Sequence, residues 1–148
     1  MMRRGTEAAV TVGLTALDQA TKFAAAHRTV GLIPGVIRLN YTENRGFSLG
    51  LFDGAVSVAL VLSLIVFAGL LTVLIRLPGG ARIRLPLLCI AAGALGNLID
   101  RVFLGYVRDM IELLFIRFYI FNFADICVTL GAACCAVMLL LPGRKETP

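Results

Sequence analysis

The chain has 148 residues, of which 59% are hydrophobic and 16% are charged, and its formal net charge is +5. Soluble domains average about 45–50% apolar and about 25% charged residues, so this composition excludes an ordinary soluble domain and indicates a single integral membrane domain. The positive charge does not indicate nucleic-acid binding, because the arginines lie at the ends of apolar runs, where positive-inside topology and anionic lipids account for them.

Four segments are each long enough to cross a bilayer, which takes about 20 residues in a helix. We expect helical spans at about 7–26, 54–75, 85–104 and 122–141, in a membrane fold that is all-α apart from a small β platform. The first of them follows Met-Met-Arg-Arg, but it contains Asp18 and Lys22 and has no clear small-residue cleavage site. We therefore interpret it as a retained span and not as a removed signal peptide.

Basic residues set the expected orientation. The turn between the second and third spans holds Arg76, Arg82 and Arg84 and no acidic residue, so we place it in the cytoplasm. With four spans, both termini are then cytoplasmic, and the connections at 27–53 and 101–121 face outward.

The outer segment at about 27–53 contains a pattern of period two, which predicts a strand at 36–42 and thus a small extramembrane platform. Two sets of side chains alternate there: Ile37, Leu39 and Tyr41 on one face, and Arg38, Asn40 and Thr42 on the other. Residues 43–46 are expected to form a turn. The alternative is an ordinary loop between two spans. A second aromatic stretch at 115–121 is either a strand or an interfacial aromatic belt.

Polar and ionisable residues concentrate in a short part of this apolar chain. Such groups in or beside membrane spans are costly and are functional candidates by default. The residues concerned are Asn97, Asp100, Arg101, Asp109, Glu112, Asn122 and Asp125. Since adjacent helical residues point about 100° apart, we expect Asp100 and Arg101 to have separate partners. Gly105 is expected to end the third helix, and Glu112 to pair with Arg108 or Arg117.

Asp18 and Lys22 are four residues apart in the first span, which predicts an ion pair on one helix face. The pair is either structural, fixing how the helix packs, or an outer shell of a polar site. An ion pair within a span must face protein or water and not lipid.

Asp109 and Asp125, here called the aspartate pair, flank the short connection between the last two spans at similar depth. Two carboxylates that share a site do not both ionise, so one pKa rises and a single proton is shared. The ionised partner can activate a water molecule, and the protonated partner can polarise a peptide carbonyl and protonate the leaving amine. We therefore predict peptide-bond cleavage, with Asp109 protonated and Asp125 ionised, because a helix N-terminus favours a negative charge.

The alternative interpretation gives the two aspartates no chemistry. Asp125 is then only a helix cap together with Asn122, and Asp109 is a solvated residue beside Arg108.

Other kinds of site find little support in the sequence. The four cysteines lie in apolar runs and are expected to be small buried hydrophobes: Cys89, Cys127, Cys134 and Cys135. His27 is the single histidine and is expected to be solvated, so we predict neither a metal site nor a cofactor. No Gly-x-Ser-x-Gly motif or cysteine–histidine pair offers another nucleophile.

Four polar blocks occur in order along the chain: Leu-Asp-Gln-Ala-Thr-Lys at 17–22, Asn-Arg-Gly at 44–46, Gly-Asn-Leu-Ile-Asp-Arg at 96–101 with Gly-Tyr-Val at 105–107 and Asp109, and Phe-Asn-Phe-Ala-Asp at 121–125. Together they resemble the lipoprotein signal peptidase family, also called signal peptidase II, over nearly the whole chain. Two departures concern the substrate pocket. The chain has Phe-Ser-Leu at 47–49 where the family often has Ala-Ala-Phe, and Met110 where it often has Phe.

The resemblance implies an aspartyl protease of the bacterial inner (cytoplasmic) membrane, with four spans and an outer β platform in one domain, 1–148. Its substrate would be a diacylglyceryl-modified prolipoprotein, cut before the lipidated cysteine, and its active site would face outward among membrane lipids. The catalytic positions fall on Asp109 and Asp125. Positions that bind substrate or support the site fall on Asp18, Lys22, Asn44, Gly46, Asn97, Asp100, Arg101 and Asn122. A monomer is expected.

The alternative function is that of a small ion-coupled transporter or channel subunit, since intramembrane charges also mark ion pathways. A transporter places its polar residues near the bilayer midplane, whereas in this chain they cluster toward the outer ends of the spans. The predicted strand also favours a platform that holds an extended peptide, for which strand addition is one mode.

Overall fold

The computed structural model describes residues 4–46 and 56–141, so the departure at 47–49 and part of the expected outer segment lie outside the described residues. The elements in chain order are α1 (Arg4–Ala25), β1 (Thr29–Ile33), β2 (Ile37–Asn44), α2 (Val56–Arg76), α3 (Arg84–Leu104), β3 (Val107–Leu113) and α4 (Phe123–Leu140). The fold is mostly helical and carries one three-stranded antiparallel sheet.

Within the described ranges, three helices are long and apolar enough to cross a membrane: α2, α3 and α4. The first helix, α1, has 22 residues and occupies the expected first span, but it is not among these three. It is less apolar than these three, and it carries Glu7, Asp18 and Lys22. By contrast, α2 is uncharged until Arg76 and leaves most of its apolar side chains on the outside of the bundle, as expected of a helix that contacts lipid.

Helix α3 lies at the centre of the bundle and packs against α1, α2 and α4. Small residues let the backbones approach closely. A Cβ atom on Gly93 would overlap the carbonyl oxygen of Ala124 and lie 2.9 Å from Val128 Cγ2. On α4, a Cβ on Gly131 would lie 2.7 Å from the carbonyl oxygen of Pro86.

The expected end of α3 at Gly105 is confirmed. This glycine has φ 78°, in the left-handed region that favours glycine. Its N–H donates to the carbonyl oxygen of Arg101 at 3.2 Å. The chain therefore reverses just before β3 begins.

At the other end of α3, Arg84 joins three helices. It pairs with Glu7 of α1, and its Nη1 donates to the carbonyl oxygens of Leu74 at 2.8 Å and Leu77 at 2.9 Å. These are carbonyl groups at the end of α2 that lack helical partners. Arg84 thus belongs to a helix and not to the basic turn in which the sequence placed it.

The sheet has the strand order β1-β2-β3. Strand β2 confirms the strand predicted at 36–42 and continues to Asn44, so Glu43 and Asn44 extend the strand and do not form the expected turn. Its pairing with β3 sets Thr42 opposite Asp109 and Asn44 opposite Val107, with an irregularity between Leu39 and Thr42. The platform therefore brings Asn44 beside Asp109.

Strands β1 and β3 are absent from the sequence-based prediction. The strand alternative at 115–121 is wrong for most of that stretch, where only Phe121 forms a bridge, to Ile111 of β3. The side chains of Phe115, Phe118 and Tyr119 are exposed, which fits the other alternative, an interfacial aromatic belt.

Candidate active site

The first turn of α4 is held by two reciprocal hydrogen bonds. The Asp125 N–H donates to Asn122 Oδ1 at 2.9 Å, and the Asn122 N–H donates to Asp125 Oδ2 at 3.2 Å, which forms a capping box. The Ala124 N–H donates to Asp18 Oδ1 of α1 at 2.9 Å. The capping role considered for Asp125 is therefore present. It leaves Asp125 Oδ1 to accept from Asn97 Nδ2 at 2.9 Å.

Asp109 is only 2% exposed, so the alternative of a solvated residue beside Arg108 is wrong. Alternation along β3 directs Arg108 to other partners. Asp109 Oδ1 accepts from Asn122 Nδ2 at 2.6 Å, and Asp109 Oδ2 accepts from Asn44 Nδ2 at 3.0 Å. Burial, and after it the negative charge of Asp125, raises the pKa of Asp109 to about 7.

The aspartate pair lines a single cavity of about 770 Å³ between the sheet and α4. One side of it is polar, with Thr42, Asn44 and Arg45 of the sheet and the turn after it. The other side is apolar and is formed by the aromatic stretch and by α4, through Phe118, Tyr119, Ile120, Phe121, Ile126 and Leu130. The cavity thus places two carboxylates between a polar and an apolar wall.

Each of the four carboxylate oxygens of the aspartate pair accepts a hydrogen bond. Three amide side chains, Asn44, Asn97 and Asn122, and the Asn122 backbone N–H supply them. Asn122 Nδ2 also donates to Asn97 Oδ1 at 3.1 Å. Asn122 therefore links the surroundings of both aspartates, and neither carboxylate is free to rotate without losing a partner.

Lys22 is fully buried behind this amide layer. Its Nζ lies 2.9 Å from Asp18 Oδ2, 3.3 Å from Asp100 Oδ2 and 2.9 Å from Asn97 Oδ1. The predicted ion pair with Asp18 is thus confirmed. An ammonium group has three N–H donors, and three acceptors surround this one. Asn97 contacts both Lys22 and Asp125, so the Asp18–Lys22 ion pair adjoins the aspartate pair, as the outer-shell alternative predicts.

Asp100 and Arg101 have separate partners, as expected. Arg108 Nη2 contacts Asp100 Oδ1 at 2.7 Å and Gln19 Oε1 at 2.7 Å, and its hydrogen bonds to Asp100 raise the pKa of Arg108. Arg101 Nη2 donates to the carbonyl oxygen of Gly46 at 3.3 Å. All ten predicted site residues therefore lie in one connected region.

Two residues of this region, Gln19 and Arg108, are missing from the predicted set. Gln19 Nε2 donates to Asp18, Asp100 and the Gly96 carbonyl oxygen. Its position between two site residues on one helix was a usable signal. Arg108 had a weaker signal, because only the reversal at Gly105 brings it back to Asp100.

Glu112 has a different partner from the one expected. It accepts from Arg38 Nη2 at 2.7 Å and from Asn40 Nδ2 at 2.8 Å, across the pairing of β2 with β3. These hydrogen bonds lower the pKa of Glu112. The Arg38 side chain is 39% exposed, so solvent screens this pair and it contributes little to stability.

The cysteines only partly follow the expectation of burial, since Cys127 is buried whereas Cys134 is exposed on the outside of the bundle. His27 is exposed, as expected, and its ring lies 4.8 Å from that of Tyr41. In the described part of the chain, no group of three or more His, Cys, Asp or Glu residues is arranged to hold a metal ion.

The raised pKa of Asp109 predicts a specific effect of pH on stability. Its ordinary value is 3.8 and its value in the folded chain is about 7, so between about pH 4 and pH 7 the folded state binds more protons than the unfolded state. The contribution of this group is present at low pH and is lost as the pH rises through 7. In Asp109→Asn this loss is removed, so the variant gains a few kcal/mol of stability relative to wild type between pH 4 and pH 8. Unfolding in detergent measured for both proteins tests this, and parallel curves would contradict it.

Comparison with known proteins agrees with the arrangement of these residues. The family described as signal peptidase (SPase) II matches residues 10–141. Lipoprotein signal peptidases of Clostridium acetobutylicum and Fusobacterium nucleatum are 34% and 33% identical to the chain; the alignments cover 93% and 90% of this chain and 94% and 85% of theirs. Two bacterial membrane enzymes, solved by the in meso method at 2.3 and 1.9 Å resolution, match with TM-scores of 0.86 and 0.81. They are 27% and 28% identical, and the matches cover 98% and 97% of this chain and 94% and 96% of theirs. The chain therefore belongs to the signal peptidase II family.

Proposed function

We propose that this chain is an aspartic endopeptidase of the bacterial inner membrane that removes the signal peptide from diacylglyceryl-modified prolipoproteins, cutting before the lipidated cysteine. Membership of the signal peptidase II family supports the reaction and the substrate. One observation supports the aspartic mechanism above the others: Asp109, buried and with its pKa raised to about 7, lines the same cavity as Asp125.

In the proposed mechanism, the ionised Asp125 takes a proton from a water molecule as that water attacks the scissile carbonyl carbon. The protonated Asp109 donates a hydrogen bond to the carbonyl oxygen, which becomes negative in the transition state. When the tetrahedral intermediate collapses, Asp109 gives its proton to the leaving nitrogen as the C–N bond breaks, and the proton that Asp125 took from water remains as the one proton shared by the pair. Asn44, Asn97 and Asn122 hold the two carboxylates in place, so that little rearrangement is needed during the reaction.

We also propose that α1 crosses the membrane as a fourth span, although its charges reduce its apolar character. Its Asp18 and Lys22 are buried against protein, whereas Val12, Leu17 and Phe23 point outward and are between 48% and 79% exposed. A helix of 22 residues is about 33 Å long, which matches the hydrocarbon thickness. Four spans give cytoplasmic termini and an outward-facing site. Because one chain supplies every residue of that site, we propose a monomer among membrane lipids, with 1–148 as one peptidase domain.

The transporter alternative is less well supported. The site residues of α3 lie in its last two turns, and Asp125 lies in the first turn of α4. A transporter would place them near the midplane of the bilayer. Their position at the outer helix ends fits a site that meets a peptide emerging from the membrane.

Cleavage of a purified substrate tests the proposed function. The chain in detergent is incubated with a lipid-modified prolipoprotein, and the products are identified by mass. We expect one cut before the lipidated cysteine, whereas an unlipidated precursor of the same sequence should be cut much more slowly. Equal cutting of both precursors would contradict the substrate class, and no cutting of either would contradict the function.

The pH dependence of the same reaction tests the mechanism. The active form needs one protonated and one ionised aspartate, and Asp109 loses its proton near pH 7. We therefore expect the cleavage rate to fall on the alkaline side with a midpoint near pH 7, about tenfold per pH unit beyond it. A rate that rises steadily to pH 9 would indicate a different catalytic base. Thermal unfolding at each pH controls for loss of folded enzyme.

A further inference from the structure

The buried ammonium group of Lys22 has no direct access to a substrate. The side chain is 0% exposed and is enclosed by Asp18, Asp100 and Asn97. A residue so placed can affect the reaction only through its neighbours. Of these three, Asn97 leads to the cavity, because its Nδ2 donates to Asp125.

Lys22 determines which way the Asn97 amide faces. Asn97 Oδ1 accepts from Lys22 Nζ at 2.9 Å and from Asn122 Nδ2 at 3.1 Å, which leaves its Nδ2 toward Asp125 Oδ1. A flipped amide would turn its NH₂ group toward these two donors and its oxygen toward a carboxylate. Since Lys has no acceptor and an ionised carboxylate has no donor, the flipped form would lose all three hydrogen bonds.

Lys22 also contributes to the charge balance around the aspartate pair. Two other cations of this region are Arg101 of α3 and Arg108 of β3, whereas Arg45, which also lines the cavity, is paired with Glu43. Tyr41 of β2 stays neutral, and burial raises its pKa to about 12. With Lys22 there are three cations. They face Asp18, Asp100 and the aspartate pair, so the region is neutral when one member of the pair is ionised. The charge of Lys22 acts on Asp109 against the effect of burial.

We propose that Lys22 is a positioning residue for the reaction, which fixes the Asn97 amide toward Asp125 and holds the aspartate pair in its singly ionised form. This proposal rests on the proposed function. It assigns to α1 a role in the chemistry as well as in packing.

The test measures the pH profile of kcat for prolipoprotein cleavage in wild type and in Lys22→Met, whose unbranched side chain is one atom shorter and carries no charge. Loss of a nearby cation favours the protonated forms of carboxylates, so the whole profile should move to higher pH by about one unit. At pH 9, kcat relative to its own maximum should then be about tenfold higher in the variant than in wild type. KM should stay within about twofold, because Lys22 does not reach the cavity.

Removal of one buried charge also leaves Asp18 without its partner, so a second variant is needed. Lys22→Met combined with Asp18→Asn removes one charge of each sign and keeps an oxygen for the Ala124 N–H. It should fold more readily and show a smaller shift in the same direction, because loss of the Asp18 carboxylate offsets part of the effect of losing the ammonium group. Glu7→Gln is the matched control, since it removes a charge from an ion pair at the far end of α1. Its profile should coincide with that of wild type.

Each outcome decides between the possibilities. A shifted profile with an unchanged KM in either Lys22 variant supports the proposal. An unshifted profile in a folded variant overturns it, even if the rate has fallen, because a structural role lowers the rate at all pH values alike. If neither variant folds, Lys22 serves folding and the proposal is wrong. If wild type does not cut, the proposed function itself fails.

Discussion

Replacing either Asp109 or Asp125 with Asn should lower prolipoprotein cleavage by about 10²–10⁴-fold while the chain remains folded. Asn has nearly the size of Asp, but it neither accepts a proton from water nor donates one to a leaving amine. Both aspartates are held by neighbouring amides, and Asn can keep part of each set of hydrogen bonds. The loss should therefore appear in kcat and much less in KM.

The two variants should differ in stability. Asp109→Asn replaces a group whose pKa rises to about 7 in the folded chain, so relative to wild type the variant gains stability as the pH rises from about 4 to 7. Asp125→Asn disturbs the capping box of α4 and should cost about 1 kcal/mol. Unfolding curves in detergent, measured alongside cleavage, separate these effects from catalysis.

Glu7→Gln is a suitable control for both, since it also exchanges a largely buried carboxylate for an amide, but it lies beside Arg84 and far from the cavity. It should keep wild-type activity. If Asp125→Asn retained near-normal cleavage, Asp125 would be a cap and nothing more, and a normal rate for Asp109→Asn would make Asp109 a structural residue of β3. Either result would contradict the proposed mechanism.

Features that depend on short spacings along the chain were predictable. The Asp18–Lys22 pair follows from a separation of four residues in a helix, and the Asn122–Asp125 capping box follows from a separation of three at a helix start. The end of α3 at Gly105 could be predicted because the residue that follows a helix is often glycine. In each case the residues concerned lie within about one turn of one helix or its end, so these features can be predicted without the tertiary fold.

Features that depend on distant pairing were not predictable in the same way. Strand β3 alternates poorly, because Arg108, Asp109 and Glu112 interrupt its apolar residues, and its edges are satisfied by β2 on one side and Phe121 on the other. The register with β2 decides that Glu112 meets Arg38 and that Asp109 meets Asn44. Strand propensities predict neither of these two contacts, since the preference of a residue for a strand depends on its burial and its neighbours more than on local sequence.

The first helix shows a related limit. Composition alone separates α1 from the three more apolar helices. Its packing accounts for the charges, because Asp18 caps the backbone of α4 and Lys22 supports the amide layer next to the aspartate pair. Charges that face protein do not oppose insertion in the way that lipid-facing charges do. A charged residue on one helix can thus serve to position residues of another helix.

Gly93→Ala is expected to have the second largest effect, through the contact of α3 with α4. The added methyl group would overlap the Ala124 carbonyl oxygen and approach Val128 Cγ2 to 2.9 Å. A backbone carbonyl cannot rotate away as a side chain can, so the two helices must separate. Overpacking of this kind typically costs about 1–3 kcal/mol.

The same separation would reach the active site, because Ala124 directly precedes Asp125. A displacement of about 1 Å at a catalytic group can lower a rate by about 100-fold. We therefore expect Gly93→Ala to lower both the unfolding temperature and kcat.

Gly69→Ala provides the matched control, since the same substitution on α2 meets no atom within 4 Å. There alanine should be neutral or should stabilise the helix by about 0.5–1 kcal/mol. If the two variants unfolded alike and cut alike, the close contact of α3 with α4 would not be what holds Asp125 in position. If only Gly93→Ala lost activity, the position of Asp125 would depend on the absence of a side chain at Gly93 of α3 as much as on the hydrogen bonds of Asp125 itself.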